Sequence, residues 1–493
     1  MNKQNLFSIL SFIIICIVIY NQFTELYQFS ILSPDSIRFM RFWQLNFDLY
    51  NNNLLKIIYH SLKDSTQYDL NRGRYLQYIF YGFEVIIHRY TLSNVNYLMI
   101  IVMILNNILI GVYLVKKANK SENSLFKFLF IFLILSTNQY FFSSIIVLVL
   151  YGKYLWVTFI LSYFISKRLP FKIMFLILAA FTDEIGLISA ILIIIINIFK
   201  NANIIYFLLG TKKLFNILIF SVFVFFGLIF IFYGISAVLF NVGSGLLGIS
   251  MTFGTESIHF PLWSKLLSFF YNITTTFLGS SSILKVKIFA LIAITIIVSF
   301  IIITLKFYIK KEFINFSINQ DTFLSFFKSH DTMIFWALLL VLVNLIILPG
   351  GMDDIGHRGY PRFITISIFV YLLFLNVFNN KYIYILFTFI LSSHLGLFTL
   401  NKNIRKEYSN TLSNILFIDT TVTWKDINYI NKSVIEFKKY GESATFSKIN
   451  NNEEIDYSGT WYYSRIKNYD TTKNMYFPIK GTIRTLVWPI VLK

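Results

Sequence analysis

Cysteine occurs once in the chain, at Cys16, so no disulfide can form within it and no cysteine-built zinc site is available. No Walker loop, dinucleotide fingerprint, HExxH or GxSxG motif falls at a usable place. Energy from ATP or a nicotinamide cofactor is therefore not indicated. A lipid-carried activated donor requires neither. No convincing internal repeat is present, which counts against the common transporter architectures. Acidic residues are few: 24 Asp and Glu stand against 43 Lys and Arg, a net charge of +19. The excess does not point to nucleic acid, because the lysines and arginines gather in short loops between apolar runs, as membrane topology requires.

What the chain has in abundance is apolar surface. Hydrophobic residues make up 56% of it and aromatic residues 19%, with a mean hydropathy of +0.65. Soluble domains of 493 residues do not have this composition. The expected fold is an all-α polytopic membrane protein of about 11 transmembrane helices, with re-entrant or short helices and outer-face amphipathic helices. Its membrane part covers residues 1–400. Residues 401–493 change to a polar composition with strand-like pieces such as ATFSKI and TIRTLVWPIVL, and read as a small soluble extracytoplasmic α+β domain.

The spans read in order as roughly 5–22, 96–115, 126 onward, a run to Ser166, the two arms of 171–200, then 214–239, 287–305, 332–348, a run to Phe378 and a last one ending near Leu400. The opening run reads as a true span, not a cleaved signal, because no small-residue cleavage site precedes Glu25. The segment SIRFMRFWQLNFDLYNNNLLKIIYHSL alternates at near-helical period, as amphipathic surface helices do. Tyr75–Arg89 is apolar but interrupted by Glu84, His88 and Arg89, and reads as an interfacial helix or the start of a span. STNQ at 136–139 breaks the third run, and Phe141–Leu150 is a candidate re-entrant piece. With Met1 inside, the basic groups near 116–127, 167–172, 200–213, 306–328 and 381 fall inside. The acid-bearing loops at 23–95, 182–186, 240–283 and 349–363 fall outside.

The run FKIMFLILAAFTDEIGLISAILIIIINIFK, 171–200, carries two adjacent acids, Asp183 and Glu184, at its centre. A carboxylate at membrane depth costs about 2.5–3.5 kcal/mol on insertion scales. The run therefore reads as a short hairpin whose turn, Thr182–Gly186, sinks the acids below the outer surface. One acid can pair with a loop arginine while the other serves as base or metal ligand; a purely structural salt bridge is the competing reading. Asp35, in SPDSIRF after the first span, is either a carboxylate that deprotonates an acceptor hydroxyl or a loop acid or helix cap. Arg72 and Arg74 in LNRGRY, Lys153 in YGKYLW, and His357, Arg358 and Arg362 in HRGYPRF offer cationic or hydrogen-bonding groups for phosphate oxygens. Headgroup contact or pairing with Asp353 and Asp354 is the alternative for the last group. That acid pair is also where a divalent cation, Mg or Mn, would be sought, although no metal site is assigned.

Taken in order, SPDSIRF, LNRGRY, YGKYLW, AAFTDEIGLISA and HRGYPRF resemble the landmarks of polytopic bacterial glycosyltransferases of the GT-C type, especially the GtrII-like membrane glucosyltransferases. The resemblance covers about residues 1–400, through order and topology more than identity. It implies an inner-membrane enzyme that transfers a sugar from a polyprenyl-phosphate donor to an extracytoplasmic glycan, lipid or protein acceptor. It further implies Asp35 as base, Asp183 and Glu184 as a second acidic site, and Arg72, Arg74, Arg358 and Arg362 as phosphate binders. The chain departs from the common pattern in having a single Asp after the first span. Two rivals remain at this stage: an O-antigen-type polymerase or ligase using undecaprenyl-diphosphate glycans, and a lipid or solute transporter or flippase.

Overall fold

The computed structural model describes residues 3–29, 42–43, 46–47, 49–50, 53–68, 73–91, 97–118, 123–137, 152–200, 221–232, 234, 299, 301–306, 330–343 and 359–395. Among these the fold is all-α, with no strand. The helices are α1 (Lys3–Phe29), α2 (Leu54–Tyr68), α3 (Tyr75–Thr91), α4 (Tyr97–Lys117), α5 (Ser124–Thr137), α6 (Gly152–Ile165), α7 (Leu169–Ala180), α8 (Glu184–Lys200), α9 (Ser221–Phe232), α10 (Asp331–Val341), α11 (Gly359–Val377) and α12 (380–395). The C-terminal unit, 401–493, and the candidate re-entrant piece, 141–150, lie outside the described residues.

The central element is α4. It is the one described helix with both the length and the apolarity to cross a bilayer; α1, α3, α5 to α7 and α9 to α11 contain shorter apolar stretches. It packs against α1, α3, α5, α6 and α11. Two adjacent asparagines in its middle carry the polar part of this packing. Asn106 Nδ2 donates to the Tyr154 carbonyl at 2.9 Å, while its Oδ1 accepts from the Thr158 hydroxyl; Asn107 reaches Ser136 Oγ at 3.5 Å. The two asparagines reach different neighbours, so the pair ties α4 to α6 and to α5 inside the buried core. Toward the far end of α4, Trp336 Nε1 donates to the Tyr113 hydroxyl at 2.8 Å and brings in α10.

Large apolar side chains also cover much of the outside. Phe12 is 67% exposed, Phe223 73%, Leu169 67% and Ile385 61%, on α1, α9, α7 and α12 respectively. Polar and charged side chains are meanwhile buried within: Arg74, Gln77, Glu84, Lys127, Asp183, Glu184 and Arg362 are all under a tenth exposed. This inverts the usual soluble arrangement, in which such groups are seldom enclosed. The amphipathic expectation for 36–62 is realised in part by α2. Its Leu54, Leu55 and Tyr59 face outward, while Ile57, Ser61 and Ser65 face in. Asn46 fixes the preceding segment to it, donating to Ser61 Oγ at 3.2 Å and Asp64 Oδ2 at 3.0 Å.

Charge sorts to the two ends of the bundle. Lys200 closes α8 and its Nζ lies 2.6 Å from Asp331 Oδ2 at the start of α10. Lys116, at the end of α4, donates to the Ile165 carbonyl at the end of α6 (3.5 Å), and Lys172, on the first turn of α7, sits over the Tyr163 ring. At the opposite end of α8 lies Glu184.

Candidate functional site

The site is assembled at the α7–α8 turn. α7 stops at Ala180, and Phe181, with φ −88° and ψ 3°, turns the chain, its N–H bonded to the Ile177 and Leu178 carbonyls. Thr182 hands its hydroxyl to the Ala179 carbonyl at 2.6 Å. Asp183 then acts as the cap of α8: its Oδ1 accepts the Ile185 N–H at 3.0 Å, and its carbonyl accepts the Leu187 N–H. A side-chain oxygen bound to an early N–H is how Asp starts a helix. Glu184 and Gly186 are thereby the first and third residues of α8, whereas the sequence suggested that they belong to the turn. Both acids stand where a helix N-terminus favours negative charge.

Gly186 permits the tight return. A Cβ there would come within 2.1 Å of the Ala179 carbonyl oxygen and 2.7 Å of Thr182 Oγ1. The two arms touch at backbone distance, as small residues allow in apolar helix pairs.

Arg74 reaches the turn from α3, 110 residues away in sequence. Its carbonyl accepts the Tyr78 N–H and so opens the helix, while the Leu76 N–H donates to the Phe181 carbonyl at 2.9 Å. One of the N–H groups that a helix start leaves unpaired is thus satisfied by the α7–α8 turn itself. The same contact fixes the guanidinium against the acids. Arg74 Nη2 lies 2.6 Å from Glu184 Oε1 and Nε 3.1 Å from Oε2, a two-pronged ion pair, with Asp183 Oδ2 at 3.9 Å from Nε. Side-chain exposure is 9% for Arg74, 7% for Glu184 and 0% for Asp183. Two carboxylates and one guanidinium therefore share an enclosure nearly closed to solvent.

Aromatic rings pack beside the turn. Phe181 lies 5.7 Å from Tyr75 and 5.2 Å from Phe232 of α9, centroid to centroid. Gly73, at φ +74°, turns the chain into α3, and an added Cβ would meet the Phe232 ring at 2.5 Å. Gly73→Ala is expected to lower stability by about 1–2 kcal/mol through left-handed strain alone. Phe232→Ala in the same background should recover only the part due to the ring contact, which thermal unfolding of the single and double variants will measure.

Arg362 is placed differently from its sequence reading. It lies within the first turns of α11, not in a loop, with Pro361 at a helix start where its missing N–H costs little. Its side chain is 1% exposed, and its carbonyl accepts the Thr365 hydroxyl at 3.0 Å. Lys153 is the second residue of α6, and its side chain is not among those described. Asp35, Arg72, His357 and Arg358, like Asp353 and Asp354, lie outside the described residues. Among the described residues, no three of His, Cys, Asp and Glu come together in a metal-binding group.

Sequence reasoning treated Glu84 only as an interruption of an apolar run and did not single out Gln77. Both are fully buried on α3, on the same edge of the helix as Arg74. The available signal was their spacing, three and ten residues beyond Arg74 at helical period. No family model, curated protein or solved structure matches the chain.

Proposed function

We propose that the chain is a polytopic inner-membrane glycosyltransferase that moves a sugar from a polyprenyl-phosphate donor to an extracytoplasmic acceptor. The observation that carries the reading is the meeting of Arg74 with Asp183 and Glu184 at one end of a bundle whose other end holds the lysines. Apolar exteriors on α1, α7, α9 and α12 support placement in a bilayer. α7 has 12 residues and so spans only about 18 Å, against an apolar bilayer core of about 30 Å. If its basic start lies at the inner boundary, the acids sit well below the outer one. Acids and a guanidinium at that depth suit a donor whose phosphate stays near the lipid boundary.

In this mechanism the acceptor hydroxyl attacks the anomeric carbon as the carbon–oxygen bond to the phosphate breaks, with inversion. Asp35 takes the hydroxyl proton, and the charge that develops on the leaving phosphate is met by the guanidinium groups of Arg358, Arg362 and Arg72. Arg74 orients Glu184 in the resting state and can exchange that carboxylate for a donor phosphate, since both accept the same two-pronged hydrogen bonding. Asp183 anchors α8 and adds negative charge beside Arg74, which holds the guanidinium in place when its partner changes.

Single replacement of Asp35, Glu184 and Arg358 by Ala should each abolish sugar transfer from a polyprenyl-phosphate donor in membranes, measured per amount of protein present, with the Asp35 and Arg358 variants at the normal level and Glu184→Ala at a reduced one. Full transfer by all three variants would end the mechanism.

A further inference from the structure

We infer that the end of the bundle opposite the Arg74 site holds the headgroup of an anionic phospholipid, gripped by Lys116, Lys117 and Lys172 beside the Lys200–Asp331 pair. This rests on the bilayer placement proposed above and is independent of sugar transfer.

Four helices bring charge to this end. Lys116 and Lys117 close α4, Lys200 closes α8, Lys172 lies on the first turn of α7, and Asp331 opens α10. Lys117 is within electrostatic reach of Asp331, Lys200, Lys172 and Lys116. Two ammonium groups, those of Lys200 and Lys117, therefore act on the Asp331 carboxylate, with Lys172 and Lys116 beside Lys117, and that carboxylate is already engaged by Lys200 at 2.6 Å. Thr332 also donates to it through its backbone N–H and its hydroxyl, at 2.7 Å and 3.2 Å. The remaining ammonium groups are turned over rings or carbonyls: Lys117 lies 5.9 Å above Phe164, Lys172 5.4 Å above Tyr163, and Lys116 3.5 Å from the Ile165 carbonyl. These are weak holds for a full positive charge, and an anion can displace them readily.

The neighbouring wall selects the kind of anion. α7 leaves this end with Leu169, Phe171, Ile173, Met174 and Ile177 between 41% and 67% exposed. An ammonium cluster at the head of an exposed apolar face matches an amphiphile, with phosphate at the lysines and acyl chain along α7. A free phosphate would use the lysines and leave the wall bare. The plainer account, in which the lysines only set topology and cap helix C-termini, requires no preference among headgroups.

The test uses purified full-length protein in neutral detergent, with phosphatidylglycerol, phosphatidylcholine or inorganic phosphate added in turn. Phosphatidylglycerol should raise the thermal midpoint and remain bound in native mass spectrometry, while the other two should not. Lys117→Gln/Lys172→Gln leaves the Lys200–Asp331 pair intact and should weaken phosphatidylglycerol retention about twenty-fivefold, at about fivefold per lysine. Lys306→Gln/Lys381→Gln should retain it as the parent does. Equal retention by both double variants overturns the inference. So does a phosphatidylcholine or phosphate effect as large as that of phosphatidylglycerol, or recovery of the chain from cells without detergent. Sugar transfer can fail or succeed without altering any of these readouts.

Discussion

Glu184→Ala is expected to cost about 3 kcal/mol of stability, because it takes the two-pronged partner from the enclosed Arg74 guanidinium and leaves Asp183, 3.9 Å from Nε, as a poorer one. The size follows from enclosure, not from the salt bridge as such. A pair of this kind at a wet surface contributes about 0–1 kcal/mol, and removing it there would hardly be seen. The double variant Arg74→Met/Glu184→Met removes both members of the two-pronged pair and keeps the volume, so its thermal midpoint should recover part of the loss, short of the parent by what the enclosed Asp183 carboxylate loses with the guanidinium 3.9 Å away. Sugar transfer should be lost in both. The two readouts therefore part company: a pair that only holds the fold would give a double variant that is both stable and active. Thermal unfolding in detergent and transfer in membranes, measured on the same preparations, decide the matter.

Gly186→Ala is expected to destabilise by about 3 kcal/mol, against the direction that helix propensity alone would give. In an open helix the change to Ala would favour the folded state by about 0.5–1 kcal/mol. Here the new methyl group would lie 2.1 Å from the Ala179 carbonyl oxygen, and that atom belongs to the backbone of α7. A flexible side chain can swing away, but a carbonyl fixed in a helix end moves only with the turn. Opening the turn would carry Asp183 and Glu184 away from Arg74 and break the Leu76 N–H bond to Phe181. Activity should therefore fall along with the thermal midpoint. Gly227→Ala is the control: nothing lies within 4 Å of its added Cβ, so the same substitution in an apolar helix should be neutral or mildly stabilising.

The elements were legible where hydropathy and local chemistry act over a few residues. The arms of 171–200, the span of α4 and the amphipathic character of α2 all follow from runs of apolar residues and the polar residues that end them. The start of α8 is not legible in the sequence, because Thr182, Asp183 and Glu184 can each stand at a turn or cap a helix. Only the bond from Asp183 Oδ1 to the Ile185 N–H settles it. Arg362 was read as a loop residue because Gly359 and Pro361 signal a turn, yet proline is equally at home in the first turn of a helix.

The sequence alone determined that apolar helices dominate the membrane-like part, that basic residues sit between them, and that two acids interrupt the most apolar stretch, since each of these is a property of neighbours along the chain. Tertiary structure alone decided that Arg74 answers those acids, that Lys200 answers Asp331, and that Gly186 has no room for a side chain. Each of these depends on which helices lie side by side. A carboxylate has the same need for a partner wherever the cation comes from, so its own neighbourhood in sequence carries no record of which arginine will meet it.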